Sequence, residues 1–317
     1  MLGVIHRMSE TPQLIADGIY PLLDEKLYRN DPAIAVSDLK EMNLSPAHFF
    51  SKKFGGYRTE QTHAQYIGTL THFSALEPDE YVKRVILSPP DAPRKPTAAQ
   101  INAKKPSEET IAAIKWWEEW SKEHGHKTIL SQDEMDQISG ITEGIKVNSD
   151  AAELLKGARN ELAMFKTVVV NGQQIRTKGK LDIICDSKGV NSSVIADIKT
   201  VERGYANQSD FAFSIQKWGY AQQAAWYIDL YNSLTSSDDP FTTEVKRSRW
   251  VFIVSEKEPP YVTVTLELEE HAIDAGRAIN QQRINTLAEC FKTNVWERPL
   301  NGKRGLVALP EWAKKAR

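Results

Sequence analysis

The spacing of apolar residues changes partway along the chain. Up to about residue 160 they recur at helical intervals; from Ala163 onward they form short, β-branched runs that read as strands. Ala163 to Val170 is one such run. Asn171-Gly172 after it is a strong hairpin turn, and Gln173 to Cys185 is the return strand. Ser193 to Val201 is the next strand. Asp210 to Tyr231 has the periodicity of one long amphipathic helix. Trp250 to Ser255 and Val262 to Leu268 read as strands on either side of Pro259-Pro260, and Glu269 to Phe291 as a closing helix. Before the change, Ser37 to Phe50 predicts a short helix around Ser45-Pro46. Ser107-Glu108-Glu109 opens a helix to about His124, Ser131-Gln132-Asp133-Glu134 is a capping box for another, and Asp150 to Leu162 predicts a third.

From Asp150 the order is helix, three strands, helix, strand, strand, helix. With no internal repeat, this is one elaborated α/β domain, a central mixed sheet flanked by helices with an N-terminal helical elaboration. Residues 1–35 are expected to be a flexible lead-in, 36–317 the domain, and about 150–292 its core. The stretch of about 88–106, with Pro89, Pro90, Pro93, Pro96 and several lysines, is expected to be a flexible loop. Trp116 and Trp120, one turn apart, are expected to be core, with base stacking the lesser alternative.

Composition narrows this little. With 40 basic against 42 acidic residues, the net charge of −2 argues against a protein that coats DNA by charge alone. It leaves room for a local basic groove, and pairs such as Lys52-Lys53, Arg94-Lys95, Lys104-Lys105 and Lys246-Arg247 could line one. No run approaches the ~20 apolar residues of a membrane span. Arg7 and Glu10 interrupt any signal-peptide core, and Cys185 and Cys290 have neither disulfide-framework nor zinc spacing. The expected compartment is a reducing cytoplasm, with no membrane partner.

Candidate chemistry sits on two of the predicted strands. Asp197 and Lys199 project from one face of one strand, and Asp182 can approach them if the strands pair around the 186–189 turn. Asp197 lies among Ile195, Ala196 and Ile198, in a run apolar enough to be buried, where a carboxylate needs a partner or a metal. Two carboxylates beside a lysine suit a hard divalent cation and an activated water, the chemistry of phosphodiester hydrolysis. A structural Asp197–Lys199 ion pair, or a solvated strand face, would satisfy the same spacing.

Several ordered segments carry a resemblance: Gly68-Thr69-Leu70-Thr71-His72 with Leu76 to Tyr81, Glu161, Lys180-Leu181-Asp182 with Asp197-Ile198-Lys199-Thr200, Gln223-Ala224-Ala225-Trp226-Tyr227, and Leu309 to Lys314. Together they resemble the PD-(D/E)xK nuclease superfamily with its αβββαβ core. More narrowly they resemble the exonuclease VIII (RecE-type) recombination nucleases of phages and prophages, over roughly Ser37 to the end. The resemblance implies a Mg²⁺ site, with Mn²⁺ able to substitute, formed by His72, Asp182, Asp197 and the Ile198 carbonyl. It makes Lys199 the residue that orients the water and Glu161 a supporting acid. Gln223 and Tyr227 become the helix pair near DNA, although Gln216 and Tyr220 share their i,i+4 spacing. Two departures stand out: the second acid is Asp197 where the superfamily more often has Glu, and the interval from Asp182 to Asp197 leaves strand register open.

The implied activity is 5′→3′ exonuclease action on linear duplex DNA, leaving a 3′ single strand for an annealing protein partner, by a homo-oligomeric ring in a bacterial cytoplasm. Alternatives are an endonuclease or single-strand nuclease of the same fold, or an inactive DNA-binding scaffold. No G-x-x-x-x-G-K-[ST] ATPase signature and no nucleophile elbow occurs.

Overall fold

The structure, a computed structural model, describes residues 14–185, 193–235 and 247–308. In chain order, the N-terminal part holds β1 (Gly18–Tyr20), α1 (Glu25–Asn30), α2 (Val36–Leu39), a 3₁₀ turn (Lys40–Asn43), α3 (Pro46–Lys53), α4 (His63–Leu76) and α5 (Pro78–Arg84). Next come β2 (Val85–Leu87), α6 (Ala98–Ile101), α7 (Glu108–His124), β3 (Thr128–Leu130), α8 (Gln132–Val147) and α9 (Ser149–Leu155). The core follows with β4 (Arg159–Val170), β5 (Gln173–Ile184), β6 (Val194–Val201), α10 (Gln208–Trp218), α11 (Tyr220–Leu234), β7 (Arg249–Glu256), β8 (Thr263–Leu268) and α12 (Glu270–Thr293).

Six strands form one mixed sheet in the order β1-β4-β5-β6-β7-β8. All neighbours are antiparallel except β6 and β7, whose parallel pairing requires a crossover that α10 and α11 supply. Asn171 (φ 49°) and Gly172 (φ 78°) turn the β4–β5 hairpin with both residues in the left-handed region, as that two-residue loop demands. On one face, α11 and α12 cover Trp250, Phe252 and Val254, joined by Leu39 and Phe49 from the N-terminal helices. On the other face α4, α8 and α9 cover Ile183, Ala196, Ile198 and Ile253. Gly276 lets α12 lie tight against α11: a Cβ there would stand 2.2 Å from the Ala221 carbonyl oxygen.

Five expectations change. The lead-in is ordered from residue 14: β1 pairs with β4, and Ala33 packs with Phe165, Tyr20 and Tyr28. Residues 1–13 lie outside the described set. The helix predicted for 37–50 is split, because Pro46 cannot donate to the preceding turn and instead starts α3 behind the Ser45 cap. The helix predicted to reach Leu162 stops at Leu155; Gly157 (φ 66°) turns the chain, and β4 begins at Arg159. The single helix predicted for 210–231 breaks at Gly219, in the left-handed region (φ 61°). Finally, Trp116, Trp117 and Trp120 join neither face of the sheet core. They pack on one another and on His124, and Trp117 Nε1 donates to the Pro93 carbonyl. The proline-rich stretch therefore lies against α7; its prolines prevent regular pairing without preventing packing.

Candidate active site

The ladder between β5 and β6 is short: among the described residues Ile183↔Ala196 and Ile184↔Ile195 pair, and the Cys185 amide donates to the Val194 carbonyl at 3.2 Å. One step beyond Ile183, the register sets Asp182 opposite Asp197, and there the strands stop pairing. The neighbouring β4–β5 ladder also skips a step, between Asn160↔Ile183 and Leu162↔Leu181. The residue at the skip is Glu161, held at φ 56°. Side chains change face across this step. Ile183 packs under α4 and α8, while Leu181, two residues back, packs with Leu162 on the α11 side. In an unbroken strand, residues two apart share a face. The irregularity turns Glu161 and Asp182 out of the alternating pattern, as bulges beside functional sites do.

Asp182 is held from two sides. His72 Nδ1 lies 3.0 Å from Asp182 Oδ2, and the Ile198 amide donates to the same oxygen at 3.2 Å. The reach from α4 follows from its sequence: a Thr62–Gln65 capping box starts the helix, Ile67, Leu70 and Thr71 are buried, and His72 sits at the edge of that buried stripe. Asp197, 2% exposed, receives a hydrogen bond from Gln223 Nε2 to Oδ1 at 2.7 Å, and its Oδ2 pairs with Lys199. The Lys199 ammonium also lies 4.9 Å from the centre of the Tyr220 ring. Glu161 pairs with Lys180, which also reaches Glu25 at 3.0 Å.

Charge is unevenly shared. Burial and the nearby Asp182 push the Asp197 carboxyl up, against the pull of Lys199. Burial works against the Asp182 carboxylate too, but His72, Lys199 and the Ile198 amide together bring it below its usual range. Burial opposes the His72 imidazolium, yet Asp182 raises it overall, and Lys199 is likewise raised by Asp197 and Asp182 despite burial. Glu161 is raised by burial and by Asp182. Each of the three acids has one basic partner: His72 for Asp182, Lys199 for Asp197 and Lys180 for Glu161.

The structure thus gathers His72, Asp182, Asp197, Lys199 and Gln223, with Glu161 next to Asp182. The helix pair is divided. Gln223 reaches the site, and Tyr227, partly buried, lies against Gly179 with its ring 3.0 Å from where a Cβ would stand; burial, with Tyr28, Asp182 and Asp197 adding to it, pushes its hydroxyl well above its ordinary value. Gln216 is exposed on α10. Tyr220, set aside with Gln216 in the sequence, is the tyrosine beside Lys199. Gly219 separates Gln216 on α10 from Tyr220, which begins α11 together with Gln223 and Tyr227. Ile198 meets Asp182 through its N–H, whereas its expected part was through its carbonyl. Lys180, the partner of Glu161, was missed; its only sequence signal is its place two residues before Asp182. The segments at 186–192 and 309–314, part of the expected turn and motif, lie outside the described residues.

Among the described residues no three His, Cys, Asp or Glu side chains surround a common point as a metal cage. The donor set still fits a hard cation. Mg²⁺ is ordinarily bound by one or two carboxylates, with waters and substrate phosphate completing its shell. Asp182 and Asp197 supply such a pair, facing one another where β5 and β6 part.

Residues 35–301 match a family described as a PDDEXK-like domain of unknown function, DUF3799. The chain belongs to that family. The PDDEXK-like α/β fold, a mixed sheet flanked by helices, is as the sequence led us to expect. This DUF3799 chain is also similar to a crystal structure from Eubacterium rectale of a protein provisionally named as an exonuclease. The likeness has a TM-score of 0.53 at 13% identity and covers 93% of this chain and 98% of the other. Rai1 of Candida albicans, solved with pU5 and Mn²⁺, aligns at a TM-score of 0.28 and 8% identity over 87% of this chain and 77% of its own, too distant to bear on the argument. No curated protein matches the DUF3799 chain in sequence. No helix among its described residues is long and apolar enough to cross a membrane.

Proposed function

We propose that this DUF3799 protein is a divalent-metal-dependent nuclease that hydrolyses linear duplex DNA from its 5′ ends, leaving 3′ single strands for an annealing protein. The fold is that of nucleases. The observation that carries the reading is the buried Asp197–Lys199 pair standing opposite Asp182 where β5 and β6 part. A solvated strand face does not fit a carboxylate that is 2% exposed. A purely structural ion pair does not account for a second carboxylate facing it, which raises the charge cost of both.

In this reading Asp182 and Asp197 would hold Mg²⁺ or Mn²⁺, which when bound lowers the pKa of a water and steadies charge on the phosphoryl oxygens. Lys199 aims its ammonium at the attacking water and the scissile phosphate, and Gln223 fixes the rotamer of Asp197. His72 holds Asp182 in place through Oδ2. Glu161 and Lys180 keep the charge beside Asp182 balanced. The 5′→3′ direction, the annealing partner and a homo-oligomeric ring follow the narrower resemblance to RecE-type nucleases. An endonuclease of the same fold is the second reading.

The test uses linear duplex labelled at one end at a time, and a covalently closed circle of the same sequence, each with Mg²⁺ or Mn²⁺. The expected result is early release of the 5′ label and an intact circle. Cleavage of the circle at the linear rate would establish the endonuclease instead. An absence of hydrolysis with either metal would overturn the nuclease reading.

A further inference from the structure

Lys40 reaches the site from the N-terminal 3₁₀ turn, 142 residues before Asp182 and 157 before Asp197 in the sequence. Its Nζ donates to the Trp218 carbonyl at 2.9 Å, at the end of α10, and lies 5.8 Å from the centre of the Tyr220 ring. That ring also carries Lys199 at 4.9 Å, so two ammonium groups converge on one aromatic side chain beside the site. The break at Gly219 makes room for the Lys40 stem: a Cβ at 219 would stand 3.3 Å from Lys40 Cε. The left-handed glycine that ends α10 therefore also forms a notch in which the lysine lies.

Among the described residues Lys40 has no carboxylate partner; its one hydrogen bond goes to a neutral carbonyl. Burial and then the repulsion of Lys199 lower it to about 8, with Asp197 pulling weakly the other way. A half-buried cation in this position lacks a counter-charge. Nearby Lys199 has Asp197; Lys53 has Asp38 and Lys52 has Glu41. Among the described residues Lys178 too bonds only backbone carbonyls, those of Tyr28 and Asp31, but Lys40 is the one that shares an aromatic ring with Lys199.

We infer that Lys40 binds a phosphate of the nucleic-acid backbone next to the one presented to Lys199, and so sets where along the strand cleavage falls. The inference rests on the nuclease reading above. An incoming phosphodiester supplies the missing counter-charge, and the fixed Tyr220 ring between the two lysines sets the spacing of the two phosphates they hold. A merely structural role, as a cap on the Trp218 carbonyl, is the competing account.

Salt dependence separates the two. Binding of a short fluorescent duplex is measured in chelator, so that no cleavage occurs, over a range of salt concentrations for wild type, Lys40→Met and Lys40→Arg. Each neutralised phosphate contributes about 0.9 to the slope of log K against log salt on duplex DNA. Lys40→Met, which keeps the apolar stem, is expected to lose about one unit of slope and to bind several-fold more weakly at low salt. Lys40→Arg is expected to restore the slope. Weaker binding with an unchanged slope and a lower melting temperature would show a cap and overturn the inference. Unchanged affinity and slope would overturn it too, while wild-type cleavage in Mg²⁺ left the nuclease reading standing. A wild type that neither binds duplex in chelator nor releases label in Mg²⁺ would overturn both.

Discussion

Gln223 donates to Asp197 across 2.7 Å, while Lys199 pairs with the other oxygen of the same carboxylate. Both oxygens of a buried acid are thus oriented by different elements, a helix on one side and its own strand on the other. A hydrogen bond to a charged group is worth about 1.5–3 kcal/mol. Gln223→Ala should therefore slow single-turnover cleavage by about tenfold or more. Gln223→Glu, which adds a like charge, should slow it further. A wild-type rate in the Ala variant would limit Gln223 to packing.

Lys199→Ala is expected to retain DNA and metal binding yet lose turnover by a factor on the order of 10² or more, because its ammonium acts on charge that develops only in the transition state. Single-turnover rates at saturating Mg²⁺ measure this. A near-normal rate would leave Lys199 as a structural partner of Asp197.

Metal dependence can be read without activity. A ligand present at about 100 times its Kd stabilises a fold by ~2.7 kcal/mol. Millimolar Mg²⁺ should raise the melting temperature of the wild type, and Asp197→Ala should abolish that rise. If the metal shift survives in Asp197→Ala, the carboxylate pair does not hold the ion. Chelator should stop hydrolysis, and Ca²⁺ should bind with little turnover, its looser shell placing the water less well.

The His72–Asp182 pair predicts a pH window for the metal-free protein. His72 is raised in the fold, so its contribution is complete below the ordinary imidazole value of ~6.5 and is lost as pH rises through the raised value. Asp182 is lowered, so its contribution is present above the ordinary carboxylate value and is lost as pH falls through the lowered one. Urea midpoints in chelator should show wild type gaining over His72→Asn between those limits, the difference shrinking at both ends. A constant difference across the series would mean that the pair carries no charge linkage.

Much of this was legible from the chain because it rests on local chemistry. The β4–β5 hairpin follows from Asn171-Gly172, the α8 start from Ser131 and Glu134, and the Asp197–Lys199 face from strand alternation. What could not be read depends on partners far away in sequence. Residues Gly18–Tyr20 become a strand only because β4 offers them an edge. Glu161 is a left-handed residue in a strand rather than a helix end, a choice made by pairing with β5 and by Lys180. The tryptophans of α7 have the spacing of a core stripe, but the sheet is already covered on both faces, so they close on Pro93 instead. Gln216 is parted from Tyr220 because Gly219 ends α10, and a pattern of apolar spacing does not register a one-residue break.

The short ladder between β5 and β6 has a kinetic meaning. β4–β5 and β7–β8 are hairpins that can form from local contacts, and the β4–β5 ladder is long. The site, by contrast, straddles a narrow seam in the sheet: Asp182, held by His72, on one slab, Asp197 and Lys199, held by Gln223, on the other, joined by the Ile198 amide donating to Asp182. Order at this seam is therefore the last to be gained on folding and the first to be lost. Amide protection should be lowest at Ile183, Cys185 and Ala196 among the central strand residues, so that the pocket disassembles before the slabs do.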